Sequence, residues 1–458
     1  MKTPWSEVEW QRVVVYGLGV SGRAAVRFLR QRGVSVLAVD DRVDASDEVA
    51  GWADDPGIEF STSGLGELPP DVDGVVVSPG VPIDRPLLAS ARQRGVPVIG
   101  EVELAFPYAD GTVVGITGSN GKSTTTALAG SILRGAGRDA VVCGNFGRPF
   151  SDCVDAGAKV FLTELSSFQL ESMDTFRPHA AALLNLSPDH LDRHGDLGAY
   201  IDAKAVLFSN QTTDDVAVFN ADDPLVLEVA ARGWRARRRY FSRRTAVADG
   251  CYLEDDVVVE VAPGAGKQAL FAPGDLAVPG AHNLENAMAA ALLARALGVE
   301  SEQLAPGLAA FRGLPHRVER VLENSGVAWY DDSKGTNIAA TCKSLEGFGD
   351  GTVHLILGGR SKGGDLGELL EMVARKVCCA YLIGEAAALF EHELLGVVHT
   401  ESVGDLQQAV ATAAARATSG EAVLLSPACA SFDQYDNFRR RGEHFQQLVQ
   451  ETMGAGDG

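Results

Sequence analysis

The stretch Val113–Gly130, VVGITGSNGKSTTTALAG, decides how the rest of this chain is read. An apolar run, VVGIT, leads into a glycine turn and then a helix-forming run, which is the strand–loop–helix unit of a parallel sheet. A common phosphate-binding loop reads G-x-x-x-x-G-K-[ST]. Gly121, Lys122 and Ser123 fit that pattern, but its first glycine position holds Ile116, and glycine falls at Gly115 and Gly118 instead. Three readings are open: a degenerate ATPase loop, a chance glycine cluster, or a distinct class of ATP site. The groups that a phosphate needs are present. Gly118 and Gly121 allow a tight loop with inward N–H groups, Lys122 supplies charge, and the Ser123 hydroxyl can ligate Mg²⁺. Ser119, Asn120 and Thr124 complete the loop.

Two further segments repeat the strand–glycine–helix order: RVVVYGLGVSGRAAVRFLRQRG from Arg12, and VHLILGGRSKGGDLGELLEMVARK from Val353. Three such starts predict an α/β protein of three domains. The N-terminal and C-terminal ones are expected to be Rossmann-like, around a central P-loop ATPase domain with a mainly parallel sheet. A chain of 458 residues accommodates that count at about 150 residues per domain. The expected boundaries give domains 1–104, 105–312 and 313–458, with a Gly/Pro-containing linker, FRGLPHRVE, from Phe311. The segment from Arg232 to Ala272, with short runs such as VVVEVA, predicts a small antiparallel addition.

The net charge of −21 argues against a nucleic-acid partner, since neutralising phosphates takes clustered Lys and Arg. Small anions remain compatible, because backbone N–H groups and a few local cations suffice for them. No apolar run reaches the roughly 18 residues of a membrane span, and MKTPWSEVEWQ does not read as a signal peptide. Seven cysteines without a C-x-x-C pair predict reduced, mostly buried thiols and a cytoplasmic location. A monomer is expected.

Other motifs carry chemistry. Gly17, Gly19, Val20, Ser21 and Gly22 form a G-x-G-x-x-G turn after the strand VVVY, and the next strand ends at Asp40, where a dinucleotide fold places its ribose-binding acid. A nicotinamide site and tight packing with no ligand both fit that turn. Arg42, and the turn Ser78-Pro79-Gly80 at another strand end, are further anion candidates. Glu164 follows the strand KVFLT, as an acid completing a Mg²⁺ site would, and His190 lies in NLSPDHLDRHG. Hard Mg²⁺ prefers oxygen, so a lone His ligand needs an explanation. Read alone, Lys204 is a solvated helix lysine, and Asn283 and Asn286 in HNLENA are N-cap candidates.

The runs TGSNGKST, ELSSFQLE, NLSPDHLDRHG and HNLENA resemble the central domain of the Mur ligases, the ATP-dependent enzymes that build the peptide stem of bacterial cell-wall precursors. DDSKGTN, from Asp331, and LLSPACASFDQYDNFRRRGEHF, from Leu424, are similar to the branch that adds the second amino acid. The resemblance runs from Gly17 to Phe445. It implies a ligase joining D-glutamate to UDP-N-acetylmuramoyl-L-alanine through an acyl phosphate, with ATP and two Mg²⁺ ions, in peptidoglycan precursor synthesis. The enantiomer of glutamate is set by the resemblance alone, since both present the same charges.

It also implies roles by position. Ser123 and Glu164 would hold one Mg²⁺, and His190 with Lys204 would help to hold a second. The lysine of the Tyr200–Lys204 block would be carbamylated, giving the missing oxygen ligand. Lys122 and Asn145 would act on the reacting phosphate and carboxylate, and Asn283, Asn286, Arg317 and Asp332 on the nucleotide. Lys334, Thr336, Lys362, Ser431 and Phe438 would bind glutamate. The first-domain turns would then cradle a uridine diphosphate and have no redox role. Gly335 stands where alanine is also common in the family, and a looser turn with no loss of function is expected there. A folylpolyglutamate-type ligase, a nicotinamide oxidoreductase and a non-enzymatic nucleotide-binding module are the competing classes.

Overall fold

The computed structural model describes residues 10–41, 51–62, 65–278 and 280–454. The chain divides into two compact units. The first comprises 1–186, 191–276 and 285–311; the second comprises 187–190, 277–284 and 312–458.

The first unit holds two sheets. One contains β1 (Arg12–Tyr16), β2 (Ser35–Val39), β3 (Ile58–Ser61), β4 (Gly74–Val77) and β5 (Val98–Ile99), in the order β3-β2-β1-β4-β5. Every ladder in it is parallel. Val13, Val14 and Val15 are fully buried, as continuous apolar strands covered on both faces must be. The helix Val20–Gln31 buries Ala24, Ala25, Val26, Phe28 and Leu29 and links β1 to β2. The chain leaves β1 on one side and returns to β4 on the other. That reversal is the switch point where open α/β sheets receive ligands.

The second sheet is built from β6 (Thr112–Thr117), β7 (Ala140–Gly144), β8 (Val160–Glu164), β9 (Ala180–Leu183), β10 (Val216–Asn220), β11 (Arg237–Ser242), β12 (Gly250–Glu254), β13 (Val257–Val261) and β14 (Gln268–Phe271). Its order is β14-β13-β12-β11-β10-β9-β6-β8-β7. The ladders from β7 to β12 are parallel, and β12, β13 and β14 pair antiparallel. The expected antiparallel addition is therefore present. Asp255 and Asp256, with φ of 48° and 59°, make its first hairpin turn, a left-handed pair that Asp tolerates. The middle of the helix Ala281–Ala296, Ala287 to Ala294, is apolar all round and fully buried. Asn283 and Asn286 lie within this helix, so neither is the N-cap that the sequence suggested. A further helix, Leu304–Ala310, precedes the expected linker.

The second unit carries β15 (Glu319–Asn324), β16 (Val327–Asp331), β17 (Val353–Gly358), β18 (Val377–Ile383), β19 (His399–Gly404) and β20 (Ala422–Leu425). The order is β15-β16-β20-β17-β18-β19, and all but the β15–β16 hairpin are parallel. The expected fold class, α/β with a mainly parallel central sheet between two Rossmann-like ones, is what the chain adopts. Among the described residues all seven cysteines are free, and no helix is long and apolar enough to cross a membrane.

Candidate active site

The loop after β6 sits at a switch point of its sheet, because β6 is flanked by β8 on one side and β9 on the other. Gly118 and Gly121 adopt φ of 154° and 82°, values that L side chains rarely reach. A Cβ on Gly121 would overlap the Asn286 side-chain oxygen, so the third glycine-rich position is fixed by space as well as by backbone angle. Gly121 caps the helix Lys122–Gly135, whose first turn carries the buried Ser123 and Thr124. Orphan N–H groups of that turn and the helix dipole favour an anion there.

A strand end and two neighbouring helices hold the loop by side chains. Asn185, just after β9, accepts from Asn120 N at 2.8 Å and donates to Asn120 O at 3.0 Å, and its own carbonyl accepts from Ser119 N. Ser119 Oγ and Tyr200 Oη are 2.9 Å apart. Asn286 Oδ1 accepts from Thr125 Oγ1 at 3.2 Å. Lys122 Nζ folds back and donates to Gly118 O and Ser119 O at 2.8 and 2.9 Å. Lys204, on the helix Leu197–Ala205, is 1% exposed, which overturns its reading as a solvated lysine. Its Nζ donates to Gly118 O at 2.9 Å and lies 4.6 Å from the Tyr200 ring centroid.

Glu164 ends β8 beside Ile116 and is 2% exposed. Its Oε1 accepts from Asn145 Nδ2 at 2.6 Å, while Oε2 is buried with no hydrogen-bond partner among the described residues. A buried carboxylate oxygen left over in this way suits a hard cation, which takes oxygen ligands. The structure thus brings the loop, Asn145, Glu164 and Lys204 onto adjoining elements of one unit. His190 belongs to the other unit, with φ of 54° and its backbone N–H donating to Asp189 Oδ1.

At the first sheet's switch point, Ser78 Oγ donates to Gly17 O at 2.6 Å, tying the ends of β4 and β1 together. Asp40 Oδ2 accepts from Leu18 N at 2.6 Å, so the acid expected at a ribose also braces the turn. A Cβ on Gly22 would overlap the Gly17 carbonyl, whereas one on Gly19 would meet nothing within 4 Å. Val20 is exposed and Ser21 follows it in the first helical turn. Pro79 O accepts from Arg193 Nη1 at 3.1 Å, and a Cβ on Gly80 would also meet open space. Arg42 lies outside the described residues.

In the second unit, Asp332 follows β16 and is 5% exposed. Burial pushes its carboxyl up to about 6, against bonds from Ser344 and Ser426 and the charge of Arg317. Its Oδ2 accepts from both hydroxyls at 2.7 Å. A Cβ on Gly335 would lie 2.6 Å from that same oxygen and 2.8 Å from Ser426 Oγ. An alanine here would oblige the Asp332 carboxylate or the Ser426 hydroxyl to give way. Lys334 Nζ stands 4.2 Å from the Phe438 ring centroid, a cation–π contact between two expected glutamate ligands. Thr336 N donates to Lys334 O, and Ser431 is buried. Lys362 Nζ lies 3.5 Å from Asp189 Oδ1. Neighbouring Asp331 is held low despite its burial by bonds from His316, Ser333 and Gln446, and that bond raises His316 in turn.

Three residues inside recognised runs were not singled out from the sequence. Asn185 clamps the loop; Arg193 joins Pro79 O and Val81 O to Glu171, at 2.8 Å from Glu171 Oε2; Arg441 is buried and donates to Ser333 O and Cys429 O. Asn185 follows a strand end, whereas Arg193 and Arg441 lie in the helices Leu191–His194 and Phe438–Gly454, where an arginine reads as solvated.

Comparisons with known proteins agree along the whole chain. Residues 11–100 match the family model described as the Mur ligase MurD-like N-terminal domain, 116–294 the Mur ligase middle domain, and 316–429 the Mur ligase glutamate ligase domain. A curated UDP-N-acetylmuramoylalanine–D-glutamate ligase of Koribacter versatilis is 42% identical over 451 residues, covering 97% of this chain and 98% of that one. The protein of the same name from Myxococcus xanthus is 43% identical, covering 96% and 98%. Among solved structures, the UDP-N-acetylmuramate–alanine ligase of Thermotoga maritima superposes with a TM-score of 0.62 at 18% identity, covering 97% of this chain and all of that one. The MurF ligase of the same organism, in complex with ADP, gives 0.60 at 18% identity, covering 99% and 97%.

Proposed function

Because the chain belongs to the Mur ligase family, we propose that it joins D-glutamate to UDP-N-acetylmuramoyl-L-alanine at the expense of ATP. ATP passes its terminal phosphoryl group to the alanyl carboxylate, giving an acyl phosphate and ADP. The glutamate amine attacks the activated carbonyl, the tetrahedral intermediate expels phosphate, and the amine proton leaves to solvent. The amide is a step in peptidoglycan precursor synthesis.

The loop does its part by position and charge. With the N–H groups of Ser119 and Asn120 held by Asn185, those of Gly121 to Thr124 face the phosphates, and Lys122 neutralises charge on the transferring group. Asn286 braces the loop through Thr125. Asn145 is aimed by its bond to Glu164 and meets the reacting carboxylate. Mg²⁺, when bound, screens the phosphate oxygens; Ser123 and Glu164 would hold one ion, and His190 with a carbamylated Lys204 a second. The buried, unpartnered Glu164 Oε2 supports the first of these. Asn283, Arg317 and Asp332 are assigned to the nucleotide.

Residues 1–104 take the uridine diphosphate part of the substrate, with Gly17, Gly19, Val20, Ser21, Gly22, Asp40, Arg42, Ser78, Pro79 and Gly80 as its contacts. Residues 105–312 take ATP. Residues 313–458 take glutamate through Lys334, Thr336, Lys362, Ser431 and Phe438. Seven free thiols suit the reducing cytoplasm, and the protein acts as a monomer without nucleic acid or membrane.

The observation that carries the reading is the full-length match to the D-glutamate ligases, with TGSNGKST at the switch point beside Glu164. ADP release is measured with UDP-N-acetylmuramoyl-L-alanine and a panel of amino acids. Turnover confined to D-glutamate is expected. Equal turnover with alanine, lysine and D-glutamate would overturn the assignment. Intact-protein mass before and after acidification tests the carbamate, which loses CO₂ in acid.

A further inference from the structure

The third sheet has chemistry at its other end. The glutamate residues assigned above follow the C-terminal ends of β16, β17 and β20, whereas His354, Cys378 and Glu421 lie at the N-terminal ends of β17, β18 and β20. Their donor atoms, an imidazole nitrogen, a thiol sulfur and a carboxylate oxygen, all fall within 4.8 Å of one another. The ladder between β17 and β18 shifts register between Val353 and His354, so that Val353 pairs with Val377 and His354 with Cys379. Cys378 is the extra residue of that bulge. Bulges re-aim a side chain in this way beside functional sites.

The surroundings are those of a ligand set. His354 Nδ1 is 2.9 Å from Tyr381 Oη, and Nε2 is 3.1 Å from Glu421 Oε2. That leaves Nε2 toward the cluster and gives Nδ1 the outer partner that metal-bound histidines use. Glu421 Oε2 is fixed by Thr418 N at 2.6 Å and Thr418 Oγ1 at 2.9 Å. His354 is buried, while Cys378 and Glu421 are partly exposed, which provides a path from solvent.

We propose that His354 Nε2, Cys378 Sγ and Glu421 form a binding site for a zinc-class divalent cation, with a fourth position left to water. Cys, His and carboxylate ligands with one open position match the preferences of Zn²⁺ and not those of Mg²⁺. A thiol without a metal carries its proton at neutral pH. On binding, that proton leaves to solvent as the sulfur–metal bond forms. The proton on His354 Nε2 is exchanged for one on Nδ1, which then donates to Tyr381 Oη. One proton is released per cation at neutral pH.

The adjacent residue provides the contrast. Cys379, His399 and Glu401 also cluster, but Glu401 Oε1 is already held by Arg416 at 2.5 Å and His399 is exposed.

The test uses the full-length protein, stripped with a chelator and given Co²⁺ without nucleotide. A thiolate-to-cobalt charge-transfer absorption, saturating at one cobalt per chain, is expected. Cys378→Ser abolishes it and Cys379→Ser leaves it unchanged. Zn²⁺ affinity, read by competition with a chromophoric chelator, falls about 10–100-fold in Glu421→Gln. No charge-transfer band in the wild-type chain, or a band that survives Cys378→Ser, overturns the site. Should the serine variant not fold, by circular dichroism, Glu421→Gln decides: wild-type Zn²⁺ affinity in it also overturns the site.

Discussion

Two glycine loops of the first unit follow the same plan, one after β1 and one after β6, and they are held by different sets of side chains. The first, GLGVSG, is tied at its backbone groups: Ser78 Oγ donates to Gly17 O, Asp40 accepts from Leu18 N, Arg23 donates to Leu18 O, and Gly22 packs against the Gly17 carbonyl. The second, TGSNGKST, is surrounded by polar and charged side chains from Asn185, Tyr200, Lys204 and Asn286. On the proposed reading the first, with one carboxylate and one guanidinium bonded at Leu18, is a shaped cradle for a diphosphate that does not react. The second sets two lysines, with hydroxyl and amide groups, around the place proposed for a phosphate that reacts. Glycine spacing does not separate the two; the side chains that neighbouring helices and strand ends bring in do.

The widest gap between the loops should appear on removing the charge. Lys122→Ala is expected to lower ADP formation by about 10²–10³-fold with Tm little changed, in steady-state assays at saturating substrates. Full ADP production by this variant would erase the distinction between the loops.

Glu101 lies on the helix between β5 and β6, the joint of the two sheets. It is buried, with Oε1 accepting from Ser151 N at 2.6 Å, and burial pushes its carboxyl up to about 7. A raised carboxyl binds its proton more tightly in the folded chain. Its stabilising contribution is therefore complete below the unfolded value near 4.5 and is lost as pH rises through about 7. Urea titrations should show wild type losing about 2–3 kcal/mol relative to Glu101→Gln between about pH 5 and pH 8.5. Parallel pH profiles would show that this joint does not titrate.

Glu164→Gln keeps the bond to Asn145 through its amide oxygen but removes the anionic ligand. Activity at limiting Mg²⁺ should fall about 10–100-fold and recover in part at high Mg²⁺. A Mg²⁺ requirement identical to wild type would remove Glu164 from the metal.

The first loop should respond through shape. Gly22→Ala is expected to cost about 2 kcal/mol of stability from overpacking, measured by denaturant unfolding. A Cβ on Gly19 meets no protein atom within 4 Å, so the Tm of Gly19→Ala should hold while KM for the UDP substrate rises about tenfold, equivalent to about 1.4 kcal/mol. If both alanines behaved alike, the cradle would not be the site of binding.

Apolar strands, glycine turns and helical runs are local signals, and they gave the three α/β starts and both glycine loops. Lys204 was misread without the resemblance because an isolated helix lysine carries no mark of burial; only the packing of its helix beneath the loop makes it 1% exposed. Asn185 escaped notice because its partner, Asn120, is 65 residues away, and a clamp between a loop and a neighbouring strand end leaves no spacing in the sequence. Gly335 was legible as a turn residue, but the carboxylate that fills its side-chain space belongs to Asp332 as oriented by Ser426. Local period reveals elements; it does not reveal which oxygen occupies which gap.

Lys122 rests with its ammonium on Gly118 O and Ser119 O. Two carbonyls of the loop thereby occupy the same cation that the phosphates of a nucleotide would claim. On the proposed reading, nucleotide entry would be an exchange of acceptors around a nitrogen already held at the loop. Departure of ADP reverses the exchange, and the returning carbonyls offset the loss of the phosphate contacts. A loop that solvates its own lysine therefore lowers the penalty for letting product go, which favours turnover over tight retention.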